Sequence, residues 1–458
     1  MSRPEQVPPT PTAAGPPGAG QPSAQPPRSS FIKDLRLVWA ERDFRRLFST
    51  RLISQTGDGL FTAGLGGYVF FNATNFPNPT SGAAAFAVLY LPYSLIGPFA
   101  GVFIDRWSRR QILVRAALLR SLFVVITAGL MASGKLGVPL YIGVLAVLGV
   151  NRFFLSALSA SLPHVVPQDK LVMANSVSPT AGGIMAAIGG LAGLGVHEAL
   201  HGGQGEYAAT LLAGGCCYVI AGAVSATIPR DLLGPSHATG ESGPAAMRSE
   251  LVAVLAGLVA GARYILARRQ PSAALVATGA NRLFYGILFL MSILLYRNYF
   301  YRAEGANKAL GHYALLTGLV ALGYATAAFV TPAAIRRISK AAWITVLLVV
   351  GAIVAGALGA FFSQAGFLVI GFCLGLVGQG IAISATTILQ EDISDDYRGR
   401  AFSFYDMMFN ILFVAGAAVG AAFMPVTGRS SALIGLIAAG YLVSAAGYWL
   451  LSHRAAGS

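Results

Sequence analysis

The stretch Gly97–Gln111 reads G-P-F-A-G-V-F-I-D-R-W-S-R-R-Q and places four charged residues directly after an apolar segment. Asp105 and Arg106 come first, and Arg109 and Arg110 follow after two further residues. Charges at the end of a membrane-length helix are costly unless an interface or a counter-charge holds them. The stretch therefore predicts a turn between two membrane spans that acts as an anchor or as a hinge.

The composition is that of a protein embedded in a lipid bilayer. Only 11% of the residues are charged and 55% are hydrophobic, whereas a soluble domain carries about 25% charged residues. The net charge of +14 would also suit a nucleic-acid-binding protein, but basic residues on a membrane protein are first of all topology markers. We therefore expect contacts with membrane lipids and none with nucleic acid. The three cysteines show no metal-binding or disulfide spacing, so no metal site is expected.

The rest of the chain divides into twelve apolar stretches of about the 20 residues that a bilayer requires. Their approximate bounds are 49–72, 83–104, 112–133, 138–162, 172–196, 208–228, 272–296, 310–334, 341–363, 366–390, 401–425 and 430–452. The longest interruption separates the sixth stretch from the seventh. The sequence thus predicts an all-α membrane protein of twelve transmembrane helices in two six-helix bundles, residues 49–228 and 272–452.

Four segments lie outside the bundles. Residues 1–30 contain nine prolines and predict a disordered tail. Residues 31–48 mix apolar and basic side chains, as in a helix lying at an anionic membrane surface. Residues 229–271 predict a linker with an amphipathic helix, and residues 453–458 form a short tail.

The distribution of lysine and arginine predicts the orientation of the chain. The tails and the loops after even-numbered spans hold 24 of the 32 basic residues when Arg51 and Arg115, at the ends of their spans, are counted with the adjoining segments. The positive-inside rule then places both termini and the central linker in the cytoplasm. Only five basic residues occupy the loops after odd-numbered spans: Lys135, Arg297, Arg302, Lys308 and Arg429.

The two halves repeat at an offset of 227 residues. Equivalent positions predict related spans, as in two-bundle transporters whose halves are related by an axis along the membrane normal. The GxxxG pairs at the repeat positions predict close helix contacts, which we place at the interface between the bundles. The offset relates Arg109 to Arg336, Arg110 to Arg337, Gly189 to Gly416 and Gly193 to Gly420.

Three deep charges are candidates for coupling or substrate binding. Asp58 lies about nine residues into the first span, roughly 13 Å deep, and it is either a proton-coupling acid or a structural carboxyl between helices. The repeat places it opposite Tyr285, one turn from Arg282 and its neighbour Asn281. Arg152, midway along the fourth span, can join them in one cavity or can pair with an acid in helix packing.

Two other charges within spans allow more than one interpretation. Arg120, which we place nearer the cytoplasmic end of the third span, can simply extend its charge to the surface. Asp406 belongs to an aromatic and Met-rich run at the start of the eleventh span. That run can line an adaptable apolar pocket or can face lipid.

The charges after the second span can act as a conformational latch. The Asp105 carboxylate can meet the positive N-terminus of the eleventh span, while the arginines can reach acids or lipid phosphates. Such a latch would favour one conformation and would have to open for the protein to switch. The alternative is that these residues only anchor the chain at the cytoplasmic surface.

These residues resemble a known family. The run Gly101-Val-Phe-Ile-Asp105-Arg106-Trp-Ser-Arg109-Arg110 is similar to the G-x-x-x-D-R-x-G-R-R signature between spans 2 and 3 of the major facilitator superfamily. Ser108 replaces the usual glycine, and in the second half only Arg336 and Arg337 survive. The resemblance implies a gating role for these residues and covers nearly all of residues 31–452 in layout.

Two shorter motifs resemble one branch of that superfamily, which contains the enterobactin exporter and bacterial macrolide efflux proteins. They are Leu52–Leu60, L-I-S-Q-T-G-D-G-L, and Arg398–Ser403, R-G-R-A-F-S. This resemblance implies export of a small molecule driven by the proton gradient, without another cofactor. It also implies that an arginine of the fourth span takes part in proton antiport, and Arg152 is the candidate here.

The expected function is transport across a bacterial cytoplasmic membrane by a monomer. An importer or a lipid or metabolite transporter of the same fold is the alternative, followed by a receptor or scaffold without transport. An enzyme is not expected, because the sequence shows no nucleophile–histidine or metal-ligand cluster.

Overall fold

The structure is a computed structural model that describes residues 39, 41–71, 79–80, 82–85, 87, 108–134, 137–167, 171–199, 204–234, 244–302 and 305–453. Every long element in these ranges is an α-helix. The helices are α1 (Arg42–Gly66), α2 (Arg109–Ala132), α3 (Val138–Ser161), α4 (Leu171–Ala199), α5 (Gln204–Ala226), α6 (Pro244–Leu266), α7 (Arg269–Leu295), α8 (Ala306–Ile335), α9 (Lys340–Gly359), α10 (Gln364–Asp392), α11 (Asp395–Phe423) and α12 (Ser431–His453). Short π-helical segments, Gly67–Phe71 and Tyr296–Phe300, extend α1 and α7.

The described helices agree with most of the predicted spans. Ten of them, α2–α5 and α7–α12, are long and apolar enough to cross a membrane. They correspond to predicted spans 3–6 and 7–12. Helix α1 occupies the first predicted span but carries Arg51 and Asp58 in its interior and is not among the ten. Twelve spans remain an expectation, because the second predicted span, 83–104, lies almost wholly outside the described residues.

The helix contacts follow the same pattern in both halves. Helix α1 packs against α4 and α5, and α7 packs against α11 and α12, which hold the equivalent places in the repeat. Likewise α2 packs against α3 and α5, and α9 packs against α10 and α12. The repeat seen in the sequence is therefore also present in the packing.

Glycines allow the backbones of α1 and α4, and those of α7 and α11, to come into direct contact. A Cβ added at any of four glycines would collide with a carbonyl oxygen of the facing helix. The two contacts of the first half recur in the second at the 227-residue offset, so the repeat extends to single backbone contacts. The glycines and the residues whose carbonyls they meet are Gly59 with Ala186, Gly189 with Thr56, Gly286 with Phe413, and Gly416 with Leu283.

The predicted location of the GxxxG pairs between the bundles is wrong. Gly189 and Gly193 of α4 face α1 and α5, where the nearest atoms to a Cβ on Gly193 would be Ala63 Cβ at 2.8 Å and Thr210 Cγ2 at 3.0 Å. Gly416 and Gly420 of α11 face α7 of their own half in the same way. Small residues permit a close approach, but their spacing does not specify the partner helix.

Gly189→Ala is expected to destabilise the protein by about 1–3 kcal/mol, because the added methyl group must force α1 and α4 apart. Gly183→Ala is the matched control on the same helix, since nothing lies within 4 Å of its Cβ position. That variant is expected to be neutral, or more stable by about 0.4–1 kcal/mol. Thermal unfolding of the purified proteins measures the difference, and equal stability of the two variants would contradict the backbone contact.

The linker helix α6 is docked on the second half. The rings of Tyr264 and Tyr397 stack with centroids 4.4 Å apart, and the hydroxyls of Tyr264 and Ser394 lie 2.9 Å apart. A Cβ on Gly261 would lie 2.8 Å from the carbonyl oxygen of Arg400. The linker is thus fixed at the start of α11.

Candidate functional site

The first candidate site is a polar cluster inside the first half, between α1, α2 and α5. The Asp58 carboxylate of α1 forms an ion pair with Arg120 of α2. Tyr218 of α5 donates its hydroxyl proton to the same Asp58 oxygen at 2.9 Å. Arg120 also donates to the Ser54 hydroxyl, one helical turn before Asp58, at 2.9 Å. Three helices are therefore joined through one carboxylate.

The members of this cluster differ in their exposure. The side chain of Arg120 is 1% exposed, and that of Asp58 is 18% exposed. Tyr218 is completely buried, and its ring centroid lies 3.6 Å from the Arg120 guanidinium carbon. The Arg120 guanidinium is therefore covered by its charged partner and by an aromatic face, whereas part of the Asp58 side chain is exposed. A group with this exposure can exchange a proton while its counter-charge stays fixed.

The expectation that Arg120 extends to the membrane surface is wrong. Arg120 lies 11 residues after the first residue of α2, which is about 16 Å along the helix. It is one of the largest fully buried side chains in the described part of the chain. Arg120 lies at about the same depth in the membrane as Asp58. Opposite charges at equal depth were the feature of the sequence from which this pair could have been predicted.

Tyr218 is a functional candidate that the sequence analysis missed. Aromatic residues are common in membrane spans, and nothing in the residues around Tyr218 distinguishes it. Its role follows from the crossing of α1 and α5. A Cβ on Gly57 would lie only 2.7 Å from Cε1 of the Tyr218 ring.

Arg282 does not join Asp58 as the repeat suggested, because it lies in a separate aromatic cluster of the second half. Its guanidinium carbon is 3.4 Å from the ring centroid of Phe409 and 5.6 Å from that of Tyr285. Only 7% of Arg282 is exposed. Its neighbour Asn281 accepts a hydrogen bond from the Tyr441 hydroxyl at 3.0 Å.

Arg152 and Asp406 interact across the two halves. Arg152 is half-buried on α3, and Asp406 is on an exposed face of α11. Their charges interact electrostatically. An acidic partner for Arg152 in helix packing was one of the two expectations, but its identity could not be predicted, because the two residues belong to different halves.

A cavity of about 280 Å³ lies in the second half between α7, α8 and α10. Its walls are mostly apolar and aromatic, and Tyr285 connects the cavity to the Arg282 cluster. The aromatic run around Asp406 on α11 contributes no wall residue to this cavity, although the sequence analysis considered a pocket there. The aromatic wall residues are Tyr285, Phe289, Tyr313, Tyr324 and Phe367.

The two halves contact each other at the ends of α1 and α7 that lie away from Arg42 and Arg269. Arg297 donates from Nη1 to the carbonyl oxygen of Phe70 at 3.0 Å. The rings of Phe71 and Tyr313 lie 5.2 Å apart between centroids. The two halves are therefore joined at this end by one hydrogen bond and one aromatic contact.

The arginines of the predicted latch bind within their own half. Arg109 donates to the carbonyl oxygen of Leu233 at 3.2 Å and contacts the His164 ring, and Arg110 donates to the carbonyl oxygen of Ala226 at 2.6 Å. Because the last carbonyls of a helix lack helical partners, Arg110 stabilises the end of α5, while Arg109 binds the segment that follows α5. The latch therefore stays a prediction, and so does its alternative, an anchor at the cytoplasmic surface.

The other latch residues give less information. Gly101, Asp105 and Arg106 lie outside the described residues. Arg336 and Arg337 are exposed at the end of α8. The sequence around the start of α11 also offers acids that the basic turn could reach, namely Glu391, Asp392, Asp395 and Asp396. Of these, Glu391 forms an ion pair with Lys340 of α9.

Comparison with known proteins identifies the family. The Major Facilitator Superfamily matches residues 47–417. The chain belongs to this superfamily. It is 35% identical over 426 residues to an uncharacterised MFS-type transporter of Mycobacterium tuberculosis, covering 92% of this chain and 93% of that protein, and it matches one from Mycobacterium bovis equally.

Solved structures of transporters share the fold of this MFS chain. The nucleoside transporter NupG superimposes with a TM-score of 0.64 and 15% identity, covering 89% of this chain and 98% of that one. The peptide transporter POT in complex with sulfate superimposes with a TM-score of 0.65 and 14% identity, covering 92% of this chain and 98% of that one. A third structure is a bacterial homologue of the human lysosomal transporter Spinster in an inward-facing and unoccupied conformation. It superimposes with a TM-score of 0.56 and 16% identity, covering 93% of this chain and 98% of that one.

Proposed function

We propose that this MFS protein is a proton-coupled exporter of a small amphipathic molecule that works by alternating access. The observation that carries the proposal is the Asp58 carboxylate, partly exposed in the interior of α1 and paired with a fully buried arginine. Ionisable groups inside membrane spans are rare, and they often mark proton or substrate pathways. Membership of a transporter superfamily supports the same conclusion.

The Asp58 cluster provides a physical means of coupling. With Asp58 ionised, the pair with Arg120 is neutral overall. A proton on Asp58 removes the negative charge and leaves the Arg120 cation in a buried site without compensation, which is strongly unfavourable. Movement of α1 relative to α2 and α5 would relieve that cost, so protonation would favour one conformation over the other.

The orientation follows from the distribution of basic residues. If both termini are cytoplasmic, the Arg297–Phe70 contact lies toward the outer side of the protein and holds the two halves together there. We propose that this is the inward-facing state, open toward the cytoplasm from which an exporter must collect its substrate. We propose the bacterial cytoplasmic membrane as the location and a monomer as the working unit.

Transport by the purified full-length chain in proteoliposomes tests this function. Anionic, neutral and cationic fluorescent amphiphiles are offered under an imposed pH gradient of either sign. At least one dye is expected to accumulate under one sign of the gradient, with the accumulation lost after addition of a protonophore. Protein-free liposomes are the control. Equal fluxes with and without a gradient would contradict proton coupling, and no protein-dependent flux of any dye would contradict export of amphiphiles.

A further inference from the structure

We propose that the substrate is an amphipathic anion whose charged group binds Arg282 and whose apolar body enters the cavity between α7, α8 and α10. This inference rests on the proposed transport function and specifies the substrate class. It follows from the charge balance within the spans, the surroundings of Arg282 and the position of the cavity.

The charges in the interior of the spans do not balance. Arg51, Arg120, Arg152 and Arg282 are the buried or half-buried basic residues there, and Asp58 and Asp406 are the acids. Asp58 is occupied by Arg120, and Asp406 interacts with Arg152. In the described part of the chain, Arg51 and Arg282 are the two that form no ion pair, and Arg51 donates to the Ser159 hydroxyl at 3.3 Å.

The surroundings of Arg282 are aromatic. In the described part of the chain no carboxylate forms an ion pair with it, and its buried Nε has no hydrogen-bond partner. The faces of Phe409 and Tyr285 offset part of the cost of burying the charge. A buried cation without an anion is nevertheless unfavourable, and an anionic ligand would provide the missing charge. Guanidinium groups bind carboxylate, sulfonate and phosphate oxygens through paired hydrogen bonds.

The cavity accounts for the apolar part of the ligand. Tyr285 lines the cavity and also lies beside Arg282, so a ligand in the cavity can place one end near the guanidinium. The lining contains no charged residue. The volume of about 280 Å³ suits a compact body of a few aromatic rings. The ligand is therefore a compact apolar body with one negative group.

Two dyes that differ by one charged group test the proposal. The probes are 8-anilino-1-naphthalenesulfonate and N-phenyl-1-naphthylamine, which share the same ring system and differ in the sulfonate. Binding to the full-length protein in nanodiscs is measured from dye fluorescence, with protein-free nanodiscs subtracted. The wild type is expected to bind the sulfonate about tenfold more tightly, the effect of one charge-assisted contact.

Three variants assign the preference to Arg282 and to the cavity. Arg282→Gln is expected to reduce sulfonate affinity to that of the neutral dye and to leave neutral-dye affinity unchanged, which also shows that the cavity is intact. Arg282→Lys keeps the charge and is expected to retain most of the preference. Phe289→Ala, in the cavity wall, is expected to lower the binding affinity for both dyes by the same factor. Equal affinity of the wild type for the two dyes, or a preference that survives in Arg282→Gln, would overturn the proposal.

The lipid composition identifies the source of the anion. The same measurement is made in phosphatidylcholine nanodiscs and in nanodiscs containing phosphatidylglycerol. An anionic surface repels the sulfonate dye in every variant, so the sulfonate preference of the wild type is compared with that of Arg282→Gln in the same lipid. An equal difference in both lipids supports a soluble substrate. Loss of that difference in the anionic lipid would show that a lipid headgroup competes for Arg282 and would overturn the proposal of a soluble ligand. Failure of proton coupling would appear as gradient-independent transport and would leave this binding preference in place, so the two proposals fail separately.

Discussion

Asp58→Asn is expected to abolish accumulation driven by a pH gradient in proteoliposomes, while exchange of labelled for unlabelled substrate at equal pH continues. The amide keeps the size of the carboxyl group and can still accept the hydrogen bond from Tyr218, but it cannot bind and release a proton. Exchange needs only the conformational change with substrate bound, so it does not depend on that proton. A loss of at least tenfold in driven accumulation with measurable exchange would identify Asp58 as the coupling acid.

The matched control for this variant is Asp43→Asn. Asp43 is another acid of α1, and it pairs with Arg46 at 2.9 Å near the start of the helix. It is 34% exposed, and exposed pairs contribute about 0–1 kcal/mol. Driven accumulation is expected to be unchanged in this control. If Asp58→Asn also accumulates substrate normally under the gradient, Asp58 has no part in coupling, and Asp406 becomes the acid to test.

The positions of the spans could be predicted because a bilayer imposes its thickness on the sequence. A helix that crosses it needs about 20 apolar residues, and the second half keeps this pattern without long interruptions, from α7 to α12. The repeat was also predictable, since Gly189 and Gly416 are visible at a constant offset. Which helix faces each glycine could not be predicted, because a glycine in a membrane span indicates only that the backbone of some other helix approaches closely.

The candidate site was predictable one residue at a time but not as a cluster. Asp58 and Arg282 stand out as charges in apolar segments. Their partners depend on how helices cross, and the sequence does not contain the crossing geometry. The symmetry of the repeat therefore predicts a common cavity for Asp58 and Arg282, whereas the structure pairs Asp58 with Arg120 and Tyr218. The repeat conserves the backbone contacts of α1 and α7 but not the side chains around them.

Arg120→Met is expected to lower the free energy of unfolding by about 3 kcal/mol, the lower part of the range for removing one member of a buried ion pair. The lower value applies because Asp58 is 18% exposed and keeps the Tyr218 hydroxyl as a donor. The remaining carboxylate would be buried without its counter-charge, and Ser54 would lose its donor. Chemical unfolding of the purified protein in detergent micelles measures the change.

A double-mutant cycle separates the ion pair from simple loss of packing. Asp58→Leu/Arg120→Met replaces both charges with apolar groups and is expected to be more stable than Arg120→Met alone, because no unpaired charge remains. Arg46→Met, which breaks the exposed pair with Asp43, is the control and is expected to cost no more than about 1 kcal/mol. If the loss of unfolding free energy in the double variant instead equals the sum of the losses in Asp58→Leu and Arg120→Met, the two groups do not interact. The charge compensation on which the coupling mechanism depends would then be absent.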